Sequence, residues 1–398
     1  MIAGDPPPAP EAGGPDGPPA FRRTLIVTND FPPRSGGIQT FVWECALRQP
    51  PGSVVVYASR SPGWERFDQQ APFPVIRDRS SLLLPTPRVA RAAAAALREH
   101  GCTSVWFGAA APLGLLGGAL RRAGATRIVA TAHGHELGWA RLPGARQLLG
   151  LIGRRVDVVT VLGQHTGRAL RRALRADSAA GPAIARLAPG VDAERFAGAR
   201  ERGAALRARL GWGAGTPVIV CVSRLVPRKG QDALIRAMPA VRRSIPGAQL
   251  AIIGRGRDAA RLRRLAARHV PGAVLFAGAA PDDELPGWYG AGDVFAMPCR
   301  TRRGGLDVEG LGIVYLEASA AGSPVVAGRS GGAPEAVRDQ ITGVVVDGRS
   351  VRAVSAAIIR LLADRERAEA MGRAGRRWVE RDWTWARSGA RLRELLDS

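Results

Sequence analysis

The chain has 398 residues, 46% of them hydrophobic and 23% charged, which excludes a wholly disordered polymer or a fibre and leaves room for two or three domains with large cores. Lys plus Arg number 57 against 34 Asp plus Glu, a formal charge of +23, so anionic partners are expected: nucleic acid, acidic lipid or phosphorylated small molecules. Lys229 is the sole lysine and Asn29 the sole asparagine, the mark of G- and C-rich coding, so part of the basic excess is a coding effect and the two survivors point to specific roles.

Residues 1–20, MIAGDPPPAPEAGGPDGPPA, carry neither a basic start nor an apolar stretch and read as a disordered leader, not a secretory signal. After them, short apolar runs alternate with glycine-rich turns and helical stretches, the pattern of strands and helices around a parallel sheet. Within 21–195 the strand candidates are TLIVTND, SVVVYAS, TSVWFGA, RIVATAH and VDVVTVLG, with helices at RVARAAAAALREH and RQLLGLIGRR. The run from Val105 to Leu120 contains Pro112 and stops at Arg121, short of the roughly 20 apolar residues of a membrane span. It reads as strand, turn and core helix. LAPGVDAERF, from Leu187 to Phe196, is the expected link. Residues 196–379 then repeat the pattern with PVIVCVS, AQLAIIG, AVLFAG, DVFAMP, SPVVAG and GVVVD.

The fold class is therefore α/β: two doubly wound, Rossmann-like domains in tandem, with a ligand expected where the carboxyl ends of their strands face each other across a cleft. The amphipathic end, 380–398, either closes the second domain or packs back on the first. Cys45, Cys102, Cys221 and Cys299 are widely spaced with no C-x-x-C pair, which fits a reducing cytoplasm and suggests neither a zinc ribbon nor a disulfide framework.

Candidate chemistry lies at the strand ends. In NDFPPRSGGIQ, Gly36 and Gly37 strip side chains away where a helix begins, leaving backbone N–H groups for an anion. TAHGHELGW places His133 and His135 after a strand; no third ligand stands at metal spacing, and His133 is read as a substrate contact. SRLVPRKGQD sets Arg224 and Lys229 on a loop, where a lone lysine suits phosphate. GRGRDA carries Gly254 and Gly256 in a G-x-G-x-x-A match, with Gly278 ending the next strand. The acidic residue that a nicotinamide site wants is missing there, so a turn facing another nucleotide is the reading, and a nicotinamide-dependent oxidoreductase is the alternative from another class.

The densest signal runs from Gly304 to Gly328. Glu309 lies in a glycine-rich turn, Gly310, Leu311 and Gly312 open a helix continuing through Ile313 and Val314, and Glu317 follows eight residues after Glu309. Free N–H groups there can receive a diphosphate, and the two carboxylates can accept from sugar and ribose hydroxyls. RLPGARQLLGLIGRR offers Arg141, Arg146, Arg154 and Arg155 beside leucines, a basic amphipathic segment suited to an acidic membrane surface. No recognition helix or aromatic platform for nucleic acid is evident.

EGLGIVYLE, SRLVPRKG and GGIQ together resemble the retaining glycosyltransferases of family 4 with the GT-B fold. TNDFPPRSGGIQ, HGHELGW, RLVPRKGQD, FAMPCRTRRGGLDVEGLGIVYLEA and SGGAPEAV are similar, within that family, to the actinobacterial mannosyltransferases that build phosphatidylinositol mannosides. The resemblance spans nearly everything after residue 21. It implies GDP-mannose as donor, with Arg224 and Lys229 on its phosphates, Glu309 on mannose hydroxyls, Glu317 on the guanosine ribose, the backbone of Gly310 to Val314 on sugar and diphosphate, and Gly37 on the diphosphate from the other domain. Either histidine of HGHELGW could take the sugar-contacting role. The implied acceptor is phosphatidylinositol monomannoside, mannosylated on the inositol ring by an α-1,6 linkage with retention, at the inner face of the plasma membrane and with no cofactor required. Another GDP- or UDP-sugar transferase of the family is the nearest alternative.

Overall fold

Runs rich in Val and Ile form short parallel strands covered on both faces, since β-branched side chains fill a pleated surface sandwiched between helices. In the computed structural model, which describes residues 22–398, the strands fall into two sheets. The leader expected over residues 1–20 lies outside the described residues. The first sheet contains β1 (Thr24–Thr28), β2 (Val54–Ala58), β3 (Val75–Arg77), β4 (Ser104–Phe107), β5 (Arg127–Ala132), β6 (Val158–Val161) and β7 (Ala183–Arg186) in the order β3-β2-β1-β4-β5-β6-β7. The second contains β8 (Val218–Val222), β9 (Gln249–Ile253), β10 (Val274–Gly278), β11 (Val294–Met297), β12 (Val325–Gly328) and β13 (Gly343–Val346) in the order β10-β9-β8-β11-β12-β13. Every pairing within both sheets is parallel. Strand order reverses beside β1 and beside β8, and each reversal opens a crevice at the carboxyl ends.

Two strands escape the sequence pattern. β3 (VIR) and β7 (AIAR) sit at the two edges of the first sheet and are half-buried or exposed, so neither carries the apolar run by which the inner strands are recognised. The stretch from Val105 to Leu120 is strand, turn and helix start, with Leu113, Leu116 and Leu120 all buried. All four cysteines are free and buried. No helix among the described residues is long and apolar enough to cross a membrane.

The chain crosses between the sheets twice. The first crossing is the segment after β7. The second comes at Trp383–Thr384, a few residues beyond the boundary expected at 379, between the helices Arg365–Asp382 and Trp385–Asp397. The crossings touch: Val191 N–H donates to the Trp383 carbonyl at 2.7 Å, and the Arg186 guanidinium lies over the Trp383 ring at 4.8 Å. Helix Trp385–Asp397 packs on the first sheet, where Trp385, Leu392, Leu395 and Leu396 join Phe41 and Trp106 in one core cluster. Ser104 Oγ and Arg127 Nε donate to the carbonyls of Leu396 and Leu395. Leu392→Ala should therefore lower the stability of the first domain by about 2–5 kcal/mol, as for other large-to-small core changes. Urea unfolding followed by a probe in each domain checks this, with the second domain's transition left in place.

Candidate functional site

Loops at the carboxyl ends of both sheets line a cleft of about 850 Å³. One wall comes from the turns after β1, β5 and β6, the other from the turns after β8 and β11. The cleft brings together Gly36, Gly37, His133, Arg224, Lys229, Glu309, Gly310, Leu311, Gly312, Ile313 and Val314.

On the second wall, Lys229 and Glu309 are both buried, with Nζ 2.8 Å from Oε2, and Arg228 Nε lies 3.7 Å from the same oxygen. Glu309 Oε2 is itself buried and makes no hydrogen bond of acceptable geometry, so its contact with the ammonium is an ion pair rather than a directed bond. Arg228 also reaches Asp307 Oδ1 at 3.4 Å. Arg224 is exposed and pairs with no carboxylate among the described residues, so its positive charge faces the cleft uncompensated. Buried Gln231 holds the Arg224 loop, donating from Nε2 to Ser223 Oγ at 2.8 Å and to the Arg224 carbonyl at 3.0 Å. Helix Ile313–Ala320 begins at Gly312, whose φ of 83° favours glycine, and its unpaired first N–H groups add positive potential beside these cations. Three cationic side chains and a helix start thus converge on one end of the cleft. That arrangement can bind a diphosphate and stabilise charge developing on it.

The first wall is neutral or acidic. His133 Nε2 lies 2.7 Å from the Gly108 carbonyl, which fixes the proton on Nε2 and leaves Nδ1 as an acceptor. Burial pushes its pKa down to about 4, with the Gly108 bond opposing. Gln39 Nε2 donates to Asp30 Oδ1 at 2.7 Å, and burial raises the Asp30 carboxyl above the usual carboxylate range against the pull of His135 and Arg34. Glu136 is fully buried. Its Oε2 accepts from Gly134 N–H at 3.0 Å, His135 Nε2 stands 3.2 Å from Oε1, and burial raises its pKa. The walls meet where Gly134, at φ 102°, faces Gly310: a Cβ on Gly134 would lie 3.4 Å from the Gly310 Cα. A side chain at either position would narrow the cleft.

Several expected site residues lie elsewhere. Gly254 and Gly256 do not line the cleft; a Cβ there would sit 2.0 Å from the Ser223 carbonyl oxygen and 2.3 Å from that of Leu225, so their bareness serves the packing of two loops. Gly278 also lies off the lining. Glu317 sits deeper on its helix, half-buried, and accepts from Tyr289 Oη at 2.5 Å. On the basic segment, the helix runs only from Pro143 to Gly153, because proline suits the first helical position. Arg141 instead bonds the Gly304 carbonyl on the opposite domain, and half-buried Arg155 bonds the Leu115 carbonyl, so these two are engaged within the protein. Arg146 and Arg154 remain exposed, with Leu142 and Leu148 beside them. Among the described residues no group of three His, Cys, Asp or Glu side chains stands placed to hold a metal.

Sequence reasoning passed over Asp30, Gln39, Glu136 and Arg228. Each lies within or beside a motif already singled out, yet only the tertiary contacts distinguish a carboxylate in the cleft from one on the surface.

Residues 35–195 match the family described as Glycosyltransferase Family 4, and residues 204–378 match Glycosyl transferases group 1. A relative from Mycolicibacterium smegmatis, a GDP-mannose-dependent alpha-(1-6)-phosphatidylinositol monomannoside mannosyltransferase, is 52% identical over 94% of this chain and 97% of its own. One from Corynebacterium glutamicum, described as acting on the monoacylated form, is 50% identical over 95% of this chain and 99% of its own. Among solved structures, sucrose-phosphate synthase from Thermosynechococcus elongatus superposes with a TM-score of 0.76 at 22% identity, covering 94% of this chain and 98% of that one. HepE of Anabaena with UDP and glucose gives 0.76 at 18% identity, covering 95% and 100%.

Between pH 6.5 and about 4 the unfolded chain takes up a proton at His133 that the native chain refuses, so stability should fall as the pH drops through that window. Replacing His133 by Gln should flatten that part of the curve, read from urea midpoints across the range.

Proposed function

Because the chain belongs to the family 4 glycosyltransferases and has their two-domain GT-B fold, we propose that it transfers mannose from GDP-mannose to the inositol ring of phosphatidylinositol monomannoside. The carrying observation is the cleft end where Arg224, Arg228 and Lys229 converge beside the start of helix Ile313–Ala320. Identity near 50% over almost the full chain to relatives bearing that activity's name supports the donor and acceptor.

In this reading the diphosphate of the donor lies against Arg224, Lys229 and the N–H groups from Gly310 to Val314, with Gly37 opposite. Cleavage of the sugar–phosphate bond leaves negative charge on the nucleotide and positive charge on the ring, and prepositioned cations lower that barrier without reorganising. Arg228 is added to the set by its position beside Glu309. Glu309, held beside Lys229 in the cleft lining, is the carboxylate assigned to mannose hydroxyls; His133 offers Nδ1 from the other wall. The acceptor hydroxyl attacks on the face the nucleotide leaves, and the departing phosphate oxygen takes its proton, which retains the anomeric configuration. Glu317 is assigned to the guanosine ribose by family resemblance, on the same helix.

The acceptor's inositol phosphate and acyl chains lie at a membrane surface, and the chain would approach the inner leaflet from the cytoplasm. Leu142, Leu148, Arg146 and Arg154 are exposed side chains of this segment whose chemistry suits that contact. Arg146→Glu with Arg154→Glu should weaken binding to anionic vesicles in a flotation assay, and unchanged flotation would remove these two arginines from the docking role.

The activity is checked by incubation with labelled GDP-mannose and phosphatidylinositol monomannoside followed by lipid extraction. Lys229→Ala or Glu309→Ala should lower turnover on the order of 100-fold, the cost of losing one preorganised electrostatic contact. Near-normal turnover in either variant would strike that residue from its role.

A further inference from the structure

Away from the cleft, one carboxylate of the second domain reaches a helix of the first. Helix Gln164–Leu174 starts after Gly163, which supplies no side-chain cap. Its first N–H groups donate instead to Glu335: Gln164 to Oε2 and His165 to Oε1, each at 2.7 Å. One carboxylate oxygen per N–H at the positive end of a helix is a favourable charge-assisted arrangement. Glu335 ends the SGGAPE stretch, to which no role has yet been assigned.

That stretch also grips the turn carrying Glu309. Glu309 N–H donates to Ser330 Oγ at 3.3 Å, and Gly332 N–H donates to the Glu309 carbonyl at 3.0 Å. A Cβ on Gly331 would sit 2.0 Å from the Glu309 carbonyl oxygen, and one on Gly332 2.1 Å from that of Gly310, so the two backbones lie in direct contact. Glu335 N–H bonds the Gly332 carbonyl at 2.9 Å, which joins the carboxylate to the same rigid loop.

We propose that Glu335 is a positioning residue for the transfer reaction. When the cleft closes, its carboxylate caps the helix of the first domain and holds the loop 330–335, and with it the Glu309–Gly310 turn, against the His133–Gly134 wall. In an open cleft both the carboxylate and the two N–H groups return to water, so the cap favours the closed arrangement. The role rests on the glycosyl-transfer reading, but the closure itself does not.

Gly163 gives the test its control. Its φ of −154° suits alanine, yet a Cβ there would lie 2.6 Å from Glu335 Oε2 and displace the carboxylate from the N–H groups. Glu335→Ala and Gly163→Ala should each lower kcat on the order of tenfold with little change in the KM for GDP-mannose, and the double variant should be no slower than either alone. Losses that multiply, or a Glu335→Ala enzyme with parental kcat, would overturn the proposal. Small-angle scattering reads closure without turnover: Glu335→Ala is expected to raise the radius of gyration, and an unchanged value overturns the proposal even if the parent chain transfers no mannose. Absence of transfer by the parent, with the scattering shift present, would count against the transfer reading alone and leave the cap standing as a closure device.

Discussion

The contact between the Lys229 ammonium and the Glu309 carboxylate organises the cleft. Both groups are buried, and taking two charges out of water costs several kcal/mol per ion before their attraction offsets it. Such a pair is a poor device for stability alone. It does hold at a fixed place a carboxylate whose Oε2 makes no directed hydrogen bond, next to cations whose charge is not fully neutralised by the protein. Arg224, which pairs with no carboxylate among the described residues, carries that surplus. An anionic ligand with hydroxyls nearby satisfies both deficits at once, and a nucleotide-linked sugar has that composition.

The two walls differ in the charge they present. Cations and a helix start gather on the second domain, whereas the first domain offers a neutral histidine and the Asp30 carboxyl, raised by burial. A donor whose diphosphate is gripped from one side and whose sugar meets hydrogen-bond acceptors on the other is oriented by that asymmetry. Orientation of this kind depends on how closely the walls approach. The meeting of Gly134 with Gly310, the reach of Arg141 to the Gly304 carbonyl and the Glu335 cap are three separate ties across the same divide.

The last helix shows how the domains share material. Trp385 and Leu392 fill a gap on the first sheet that no residue of that domain's own stretch of chain fills, so the first core is completed only when the chain end returns. The paired crossings beside Val191 and Trp383 hold the two connections together through a backbone hydrogen bond and a cation–π contact.

Much of this was legible in the residues. All six strands of the second sheet and the five inner strands of the first follow from apolar runs, which strands buried on both faces require and which the half-buried edge strand β10 also carries. The E-x7-E element, the lone lysine and the Gly-Gly turn marked the cleft by composition alone, since bare backbone and isolated charge at strand ends have few other uses. Edge strands β3 and β7 stayed hidden because each is a run of three or four residues ending in arginine, too short and too polar to stand out as apolar. For the glycines at 254 and 256 the residues alone leave two readings open, since a ligand and a neighbouring loop exclude a side chain equally well, and the structure adds their close packing against Ser223 and Leu225. Likewise a sequence presents every arginine alike. Folding decides that Arg141 and Arg155 bond carbonyls while Arg146 and Arg154 face solvent, and that the final helix joins the first domain, because long-range contacts are set by which surfaces meet and not by local pattern.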